Sequence, residues 1–251
     1  MSGHSKWKTN KAKKTAADAK KGAAYTKIIK EITVAAREGG GNPDTNTKLR
    51  SAIARAKEAN MPSDNVKTAI LRGTGELPGV TYESVTYEAY GPAGVAILIE
   101  ALTDNKNRTT AELRNILSKR GGSMAGGGSV AWMFSKKGYI LIDKTQIQED
   151  ELMDIVLEAG AEDIKTDDKN YEITTSVQDF ENVKQALTDK GLTLQTAELT
   201  MIPSSTIKLK ENDAKQILTL VDGLEEHDDV QQVYANFDIP DEILEQISSS
   251  S

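Results

Sequence analysis

The spacing of apolar residues changes near residue 80, and this change constrains the fold more than any other feature of the chain. Before it, apolar residues recur every three or four positions, as in residues 49–56 (LRSAIARA), which is the period of an amphipathic helix. After it, apolar and polar residues alternate, as in residues 85–90 (VTYEAY), which is the period of a half-buried strand. The chain therefore begins with helices and continues with strands.

Three helices are predicted before the change in period. The first covers residues 24–36 and ends at the Gly-Gly-Gly-Asn-Pro sequence of residues 39–43. Asp44 or Thr45 is suited to cap the second helix, and Pro62 marks the start of the third. Short amphipathic helices cannot each bury a face alone, so the three are expected to pack together as a small bundle.

The alternating region begins with a β-β-α-β series. Strands are predicted near residues 85–90 and 95–102, followed by a helix over residues 109–120. The last strand of this series is predicted after the glycine-rich residues 126–128, with one face formed by Val130, Trp132 and Phe134.

Residues 138–202 form a self-contained β-α-β-β-α-β series, which is typical of a ferredoxin-like sandwich. Its predicted elements are strands 139–142, 163–166, 171–175 and 193–201 and helices 149–158 and 179–188. A further helix over residues 213–224 and a strand over residues 230–237 have no local partner. We expect these two elements to return and complete the preceding series.

These patterns predict a multidomain α+β protein. An N-terminal three-helix bundle is followed by two ferredoxin-like α+β domains, and the third domain is inserted in the second. The predicted boundaries are 1–78 for the basic helical domain, 79–137 plus 203–240 for the second domain, and 138–202 for the inserted domain. Residues 241–251 are predicted to be a C-terminal tail, with disorder over its last four residues.

Positive charge is concentrated at the N-terminus. The first thirty residues contain nine lysines and a single acidic residue, Asp18. Residues 1–78 carry a net charge of +9 and residues 79–251 a net charge of −16, in a chain whose total is −7. The expected partner is a phosphate backbone, because lysines and arginines that neutralise phosphates release condensed counterions.

The predicted nucleic-acid contacts are the cations of this basic region, together with an aromatic residue that can stack on a base or anchor the segment in the bundle. They are Lys6, Trp7, Lys8, Lys11, Lys13, Lys14, Lys20, Lys21, Lys27, Lys30, Arg50, Arg55 and Lys57.

Residues 103–109 (TDNKNRT) lie where an apolar strand leads into a helix. Asn and Asp form turns and helix caps, so a structural connection is the simpler interpretation. The alternative is an anion site at the helix N-terminus, formed by Asn105, Lys106 and Arg108.

The sequence contains no specific sign of catalysis. It has no cysteine, and its two histidines, His4 and His227, lie in different modules. The glycine-rich residues 121–128 lack the Lys-Ser/Thr pair of a P-loop, and the acidic residues 225–229 are expected to be solvated. We therefore predict a protein that is not an enzyme and that uses no cofactor and no metal.

A cytoplasmic location without a membrane partner is predicted. The longest apolar run, residues 95–99, is too short to span a bilayer, and no apolar signal-peptide core lies near the N-terminus. A mitochondrial presequence would also be basic, but it would favour arginine, and the first arginine here is Arg37.

Seven motifs, in order along nearly the whole chain, resemble the YebC family. They are GHSKW at residues 3–7, DAKKG at 18–22, ANMPSDN at 59–65, YEAYGPAG at 87–94, TDNKNRT at 103–109, GSVAWMF at 128–134 and VYANF at 233–237. The resemblance implies three modules, the last inserted in the second, and a cytoplasmic regulator of gene expression. The family is commonly labelled as DNA-binding transcriptional regulators, whereas its mitochondrial relatives are translational activators and bacterial members are linked to ribosomes stalled on proline-rich stretches.

Several functions compete for this sequence. Arginine is sparse in the basic segment and no helix is an obvious groove-reading element, so base-specific readout is expected to be weak. This favours a non-enzymatic translation factor that binds ribosomal RNA, with the ribosome as a candidate partner, over a DNA-binding transcriptional regulator. A small-molecule-sensing module is a further alternative. An acylphosphatase-type enzyme would need an arginine in the loop after its first strand, and residues 143–146 contain none.

Overall fold

A computed structural model describes residues 18–167 and 169–249. Helices and antiparallel sheets both occur among these residues, which confirms the predicted α+β class. The helices are α1 (Asp18–Gly39), α2 (Thr47–Glu58), α3 (Ser63–Thr74), α4 (Lys106–Lys119), α5 (Glu149–Glu158), α6 (Phe180–Asp189), α7 (Glu211–Glu225) and α8 (Asp241–Ser249). The strands are β1 (Glu83–Tyr90), β2 (Ala96–Thr103), β3 (Ser123–Met124), β4 (Phe134–Asp143), β5 (Ala161–Thr166), β6 (Asn170–Thr175), β7 (Leu194–Pro203), β8 (Ile207–Lys208), β9 (Val230–Ala235) and β10 (Phe237–Asp238).

The described residues form two compact units. One contains residues 18–130 and 210–233, and the other contains residues 131–209 and 234–249. The three N-terminal helices and the first sheet belong to the same unit. The division into three domains with the boundaries given above stays a prediction.

Helices α1, α2 and α3 are present as predicted and share an apolar core. Its buried members are Ile32, Ala35, Ala36, Leu49, Ala52, Ala56, Met61 and Ala69. Helices α1 and α3 approach each other closely at Gly73, where an added Cβ would lie 2.5 Å from the Thr33 carbonyl oxygen. Small residues at this crossing therefore allow the two backbones to pack.

The cap of α2 differs from the prediction of Asp44 or Thr45. Asn46 caps the helix, and its side-chain oxygen accepts a hydrogen bond from the Leu49 amide at 3.0 Å. Its amide nitrogen also donates to the carbonyl oxygens of Ala35 at 2.7 Å and Gly40 at 2.9 Å. One buried side chain thus satisfies backbone groups at the end of α1 and at the start of α2.

The first sheet has the strand order β3-β1-β2-β9. Strands β1 and β2 are antiparallel, with Glu83 opposite Thr103 and Tyr90 opposite Ala96. Strand β9 is the neighbour of β2, so the chain does return to this sheet after residue 203, as the unpartnered pattern near residues 230–237 predicted.

The second sheet has the order β5-β6-β4-β7, and its three strand pairs are antiparallel. Helices α5 and α6 pack on one face of it, which confirms the predicted β-α-β-β-α-β series. The buried core on this face contains Ile140, Ile142, Ile147, Leu152, Val156, Tyr171, Ile173, Phe180, Val183 and Leu187.

The strand predicted to carry Val130, Trp132 and Phe134 on one face is wrong. Residues Ala131–Met133 form a 3₁₀ turn, in which Trp132 is 73% exposed while Val130 and Phe134 are buried. The third strand of the first sheet is instead the short β3. Strand β4 begins at Phe134 and belongs to the second sheet, so the predicted boundary between residues 137 and 138 falls inside a strand.

The C-terminal region also differs from the prediction. Residues 241–249 of the expected tail form helix α8, which follows Pro240 and buries Leu244. The predicted strand over residues 230–237 is interrupted, because Phe237 and Asp238 form β10, which pairs in parallel with β8.

Candidate nucleic-acid interface

The predicted contacts nearest the N-terminus lie outside the described residues. These are Lys6, Trp7, Lys8, Lys11, Lys13 and Lys14. Lys20 and Lys21 lie on the first turn of α1, but their side chains belong to the part that is not described. The involvement of all eight residues stays a prediction.

Helix α2 presents an exposed cationic surface. It carries four cations, Lys48, Arg50, Arg55 and Lys57, and a single acidic residue, Glu58. Arg50 and Lys57 are seven residues apart, so they lie on one side of the helix at a separation of about 10 Å along its axis. All four cations are exposed, which leaves them accessible to a polyanion.

Three of these four cations also have partners among the N-terminal helices and the turn between them. Lys48 lies 2.7 Å from Glu38 of α1. Arg50 donates to the carbonyl oxygens of Pro43 at 3.0 Å and Asp44 at 2.9 Å, which fixes the turn before α2. Arg55 contacts Glu31 of α1 at 2.9 Å. Burial raises the pKa of the Glu31 carboxyl, and the nearby Arg55 guanidinium opposes this effect. Among the predicted contacts on α2, Lys57 is therefore the one whose side chain has no described hydrogen bond or ion pair with the protein.

Lys27 and Lys30 of α1 have partners within the same unit, which weighs against their predicted contact with a phosphate. The Lys27 ammonium donates to the Glu225 carbonyl oxygen at the end of α7. Lys30 is only 7% exposed, and its ammonium lies 2.6 Å from an Asp229 carboxylate oxygen. The acidic loop that was expected to be solvated covers Lys30, so this ammonium cannot reach an external phosphate in this structure.

Asp229 is the centre of a buried ion-pair network in this unit. Its side chain is 3% exposed and accepts hydrogen bonds from Lys30 at 2.6 Å, Thr109 at 2.6 Å and Arg108 at 2.8 Å. Its backbone amide donates to His227 Nδ1 at 3.1 Å, and its carbonyl oxygen accepts from the Leu102 amide at 2.8 Å. The network thereby joins α1, β2, the start of α4 and the loop before β9.

The electrostatics of Asp229 follow from these donors. Burial alone would raise the pKa of its carboxyl, but hydrogen bonds from Lys30, Thr109 and Arg108 outweigh burial and hold the pKa well below its usual range. Hydrogen bonds to Asp229 and Asp104 raise the pKa of the Arg108 guanidinium. The Asp229 carboxylate and the Arg108 guanidinium are therefore both charged at neutral pH.

Residues 103–109 form the structural connection that their composition favours. Asn105 is the N-cap of α4, and its side-chain oxygen accepts from the Arg108 amide at 3.1 Å. The Arg108 guanidinium contacts Asp104 and Asp229, both at 2.8 Å, so its charge is already matched by carboxylates. Lys106 is exposed on the first turn. This geometry weighs against the alternative anion site.

Glu112, His227 and Asp229 are the one described group of His and acidic residues whose atoms lie within 4.8 Å of one another, as a metal site would require. The donor set does not suit a cation, because both Asp229 oxygens already accept hydrogen bonds from Lys30, Arg108 and Thr109. His227 Nδ1 accepts from the Asp229 amide, and its Nε2 lies 2.8 Å from Glu112. The group is best interpreted as structural.

A second buried carboxylate was not found from the sequence. Glu88 of β1 is 8% exposed, and its two oxygens accept from the amides of Gly128 and Val130, both at 2.6 Å. Glu88 thereby fixes the end of the glycine-rich loop. The strand pattern gave no signal for its burial, because Glu88 occupies a polar position of the alternation, between Tyr87 and Ala89.

Comparison with known proteins shows the family. Residues 5–76 match the model of the TACO1/YebC protein N-terminal domain, and residues 82–237 match that of the TACO1/YebC second and third domain. The chain belongs to the TACO1/YebC family, as its motifs indicated.

The relatives match over almost their full length. Proteins from Syntrophobacter fumaroxidans and Dictyoglomus turgidum are each 54% identical over 249 residues, which is 99% of this chain and 100% of the relative. Both are named as probable transcriptional regulatory proteins. The crystal structure of a conserved hypothetical protein from Aquifex aeolicus is similar with a TM-score of 0.75 and 44% identity, covering 89% of this chain and 92% of that one.

These names support a regulator of gene expression and do not describe an enzyme. Among the helices of the described residues, none is both long enough and apolar enough to cross a membrane.

Proposed function

We propose that this protein is a non-enzymatic, nucleic-acid-binding regulator of gene expression. Its basic N-terminal region contacts the phosphate backbone, and the natural target is ribosomal RNA during translation. The protein acts in the cytoplasm without a cofactor. The observation that carries the proposal is the separation of charge, +9 over residues 1–78 against −16 over residues 79–251.

The internal contacts of α1 reduce the number of residues that are candidates for contact with phosphate. Since Lys27 donates to the end of α7 and Lys30 to the loop before β9, the remaining candidates are the lysines of residues 6–21 and the exposed side of α2. Lysines act as point charges on phosphates and carry little base specificity. A surface of this kind suits a target recognised through its shape and backbone.

DNA is the alternative target, and the names of the relatives favour it. A sequence-specific DNA regulator would need side chains that read base edges in a groove, and arginine is the commonest of these. The described basic helix α2 has two arginines, and both also contact the protein itself. This supports RNA over a specific DNA operator.

The salt dependence of binding tests the phosphate contact. Lys11→Ala, Lys13→Ala and Lys14→Ala together should lower the slope of log affinity against log salt by about two to three, because each lysine that neutralises a phosphate contributes about one. The matched control is Lys119→Ala, Lys190→Ala and Lys210→Ala, which removes the same charge from exposed positions after residue 78. Equal slopes in the two triple variants would refute the proposal.

Target class is tested by comparing ribosomes with DNA. We expect the protein to sediment with ribosomes at salt concentrations where it no longer shifts a DNA duplex. Non-specific DNA affinity should be in the range of about 10⁻⁴ to 10⁻⁶ M at physiological salt. A tight operator whose affinity is lost when one or two base pairs change would instead establish the transcriptional alternative.

A further inference from the structure

Trp132 is the most exposed large apolar side chain among the described residues. It lies at the centre of the 3₁₀ turn Ala131–Met133 and is 73% exposed, whereas Val130 before the turn and Phe134 after it are buried. An indole ring in contact with water leaves a large apolar surface unburied, and its flat face can stack on another ring. This position is therefore suited to a binding partner with a planar group.

The turn that carries Trp132 is fixed by its neighbours in the second sheet. The Met133 carbonyl oxygen accepts a hydrogen bond from the Ser204 amide at 2.8 Å. Phe134, the first residue of β4, is buried and lies opposite Pro203 at the end of β7. A side chain on a fixed backbone loses less conformational freedom on binding than one on a mobile segment. The backbone that presents the indole is thus already in place.

The chain around Trp132 has no acidic residue, although residues 79–251 carry a net charge of −16. The register of β4 and β7 places residues 131–142 and 199–209 side by side. Neither segment contains aspartate or glutamate, and together they contain three lysines, Lys136, Lys137 and Lys208. These two segments therefore attract an anionic partner in a part of the chain that is otherwise acidic.

Lys136 is the lysine of this set whose charge is most available. Lys137 contacts Glu162 at 2.8 Å, and Lys208 lies beside Asp238 in the β8–β10 register. Lys136 is exposed, and within the part of the chain that the structure describes it has no ion pair. It follows Trp132 by four residues, so it lies within about 14 Å of it along the chain. A lysine at this distance can contact the strand whose base stacks on the indole.

We propose that Trp132 stacks on an unpaired base of the RNA and that Lys136 contacts a phosphate of the same strand. The inference rests on the proposed function, because it specifies which part of an RNA this second contact takes. A duplex keeps its bases stacked on one another, whereas a loop or a single strand can turn a base outward onto an aromatic side chain. The structure therefore favours single-stranded RNA as the ligand at Trp132.

Hydroxyl groups beside the turn fit the same ligand. Ser204, whose amide holds the turn, is followed by Ser205 and Thr206, and all three are exposed. A hydroxyl both donates and accepts hydrogen bonds, so it can pair with a phosphate oxygen or with the 2′-hydroxyl of a ribose. An apolar protein partner would gain nothing from these groups.

Substitution of Trp132 in the full chain tests the stacking. The probe is a single-stranded RNA of about twelve nucleotides, which is within the usual length of such sites. Trp132→Ala should weaken binding by about five- to hundredfold, because this is the usual effect of losing one base–aromatic stack. Trp132→Phe keeps an aromatic ring and should lose clearly less.

The matched control is Leu157→Ala on α5, which truncates another apolar side chain of the same unit that is 56% exposed. This variant should bind the single strand as the wild-type chain does. Equal affinities of Trp132→Ala and Leu157→Ala would overturn the proposal. An equal loss by Trp132→Ala on a duplex of the same length would also overturn it, since a duplex offers no unpaired base.

The salt dependence separates the two residues of the proposed contact. Trp132→Ala should leave the slope of log affinity against log salt unchanged, because stacking neutralises no phosphate. Lys136→Ala should lower that slope by about one. A change of slope in Trp132→Ala, or none in Lys136→Ala, would contradict these assignments.

Fluorine NMR observes the indole directly. The chain has two tryptophans, Trp7 and Trp132, so fluorotryptophan labelling gives two signals, and the one that disappears in Trp132→Phe belongs to Trp132. Saturation with the single-stranded RNA should shift this signal, whereas an unshifted signal would overturn the stacking.

The remaining outcomes distinguish this inference from the proposed function. If Trp132→Ala reduced sedimentation with ribosomes but bound single-stranded RNA normally, Trp132 would contact a ribosomal protein and the stacking would be refuted. If the wild-type chain bound no RNA of any kind, the proposed function would fail together with the inference. Normal RNA binding by every Trp132 variant would refute the inference alone.

Discussion

Helices α1 and α2 are both rich in cations, but their side chains have opposite environments. The Lys30 ammonium of α1 is buried against Asp229, whereas the cations of α2 are exposed on the surface. In the sequence the two sets look alike. The difference shows that the density of positive charge marks a nucleic-acid interface only where the fold leaves the charges accessible.

The cause of the difference lies far away in the chain. Lys30 and Asp229 are 199 residues apart, and the loop that carries Asp229 reaches α1 because β9 lies beside β2 in the first sheet. The described ion pairs of α2, Arg55 with Glu31 at 2.9 Å and Lys48 with Glu38 at 2.7 Å, are both far more exposed than the pair of Lys30 with Asp229. The comparison can therefore be tested by changing one member of each set.

The largest effect is expected at the buried network. Asp229→Ala removes the anion that Lys30 and Arg108 share, and it leaves a buried ammonium without its carboxylate. We expect the free energy of unfolding to fall by about 3–5 kcal/mol, measured by urea denaturation. Asp228→Ala is the matched control, because this neighbouring acid is exposed and should change stability by less than about 0.5 kcal/mol. Equal effects would mean that the network does not stabilise α1.

The same network predicts a dependence of stability on pH. Because the pKa of Asp229 is lower in the folded than in the unfolded chain, its contribution is present above the unfolded value of about 3.9 and is lost as pH falls through the folded value. Urea denaturation from pH 7 down to pH 3 should therefore show a smaller acid-induced loss in Asp229→Asn than in the wild-type chain. Parallel curves for the two proteins would contradict this assignment.

A smaller effect is expected where α1 leads into α2. Asn46→Ala removes the cap of α2 and two donors to the end of α1, so the free energy of unfolding should fall by about 2 kcal/mol. Asp44→Ala and Thr45→Ala are controls at the positions that the sequence favoured as caps, and thermal denaturation should show little change in either. A larger loss at Asp44 or Thr45 would show that the cap is misassigned.

Local patterns predicted most of the elements but few of the long-range contacts. The period of 3.6 residues located the three N-terminal helices, and the order of elements located α5 and α6, because these features depend on neighbours in the sequence. The strand at residues 130–134 was wrong because its alternation continued across a 3₁₀ turn, which a periodic pattern does not distinguish from a strand. Helix α8 was missed because it has only nine residues, so its apolar positions Ile243, Leu244 and Ile247 cover little more than one repeat of the helical period.

At the candidate site too, local sequence patterns did not predict the long-range contacts. Sequence composition identified the basic region and favoured a structural connection over residues 103–109, where the structure shows Asn105 as the N-cap of α4. It could not separate Lys30 from Lys57, since burial depends on the acidic loop that the tertiary fold brings to α1. For the same reason, Asp229 looked like one more solvated acid in the loop before β9.

The smallest effect on stability, and the sharpest test of the comparison, is expected from Lys57→Ala on α2. Lys57 is exposed, so its loss should change the free energy of unfolding by less than about 0.5 kcal/mol, but it should lower the salt slope of RNA binding by about one. Lys30→Ala should lower the free energy of unfolding and leave the salt slope of RNA binding unchanged, because it removes a buried ion pair and no phosphate contact. Urea denaturation and RNA titration at several salt concentrations measure both quantities for both variants. If Lys30→Ala changed the salt slope at unchanged stability, α1 would contact the nucleic acid and the corrected interface would be wrong.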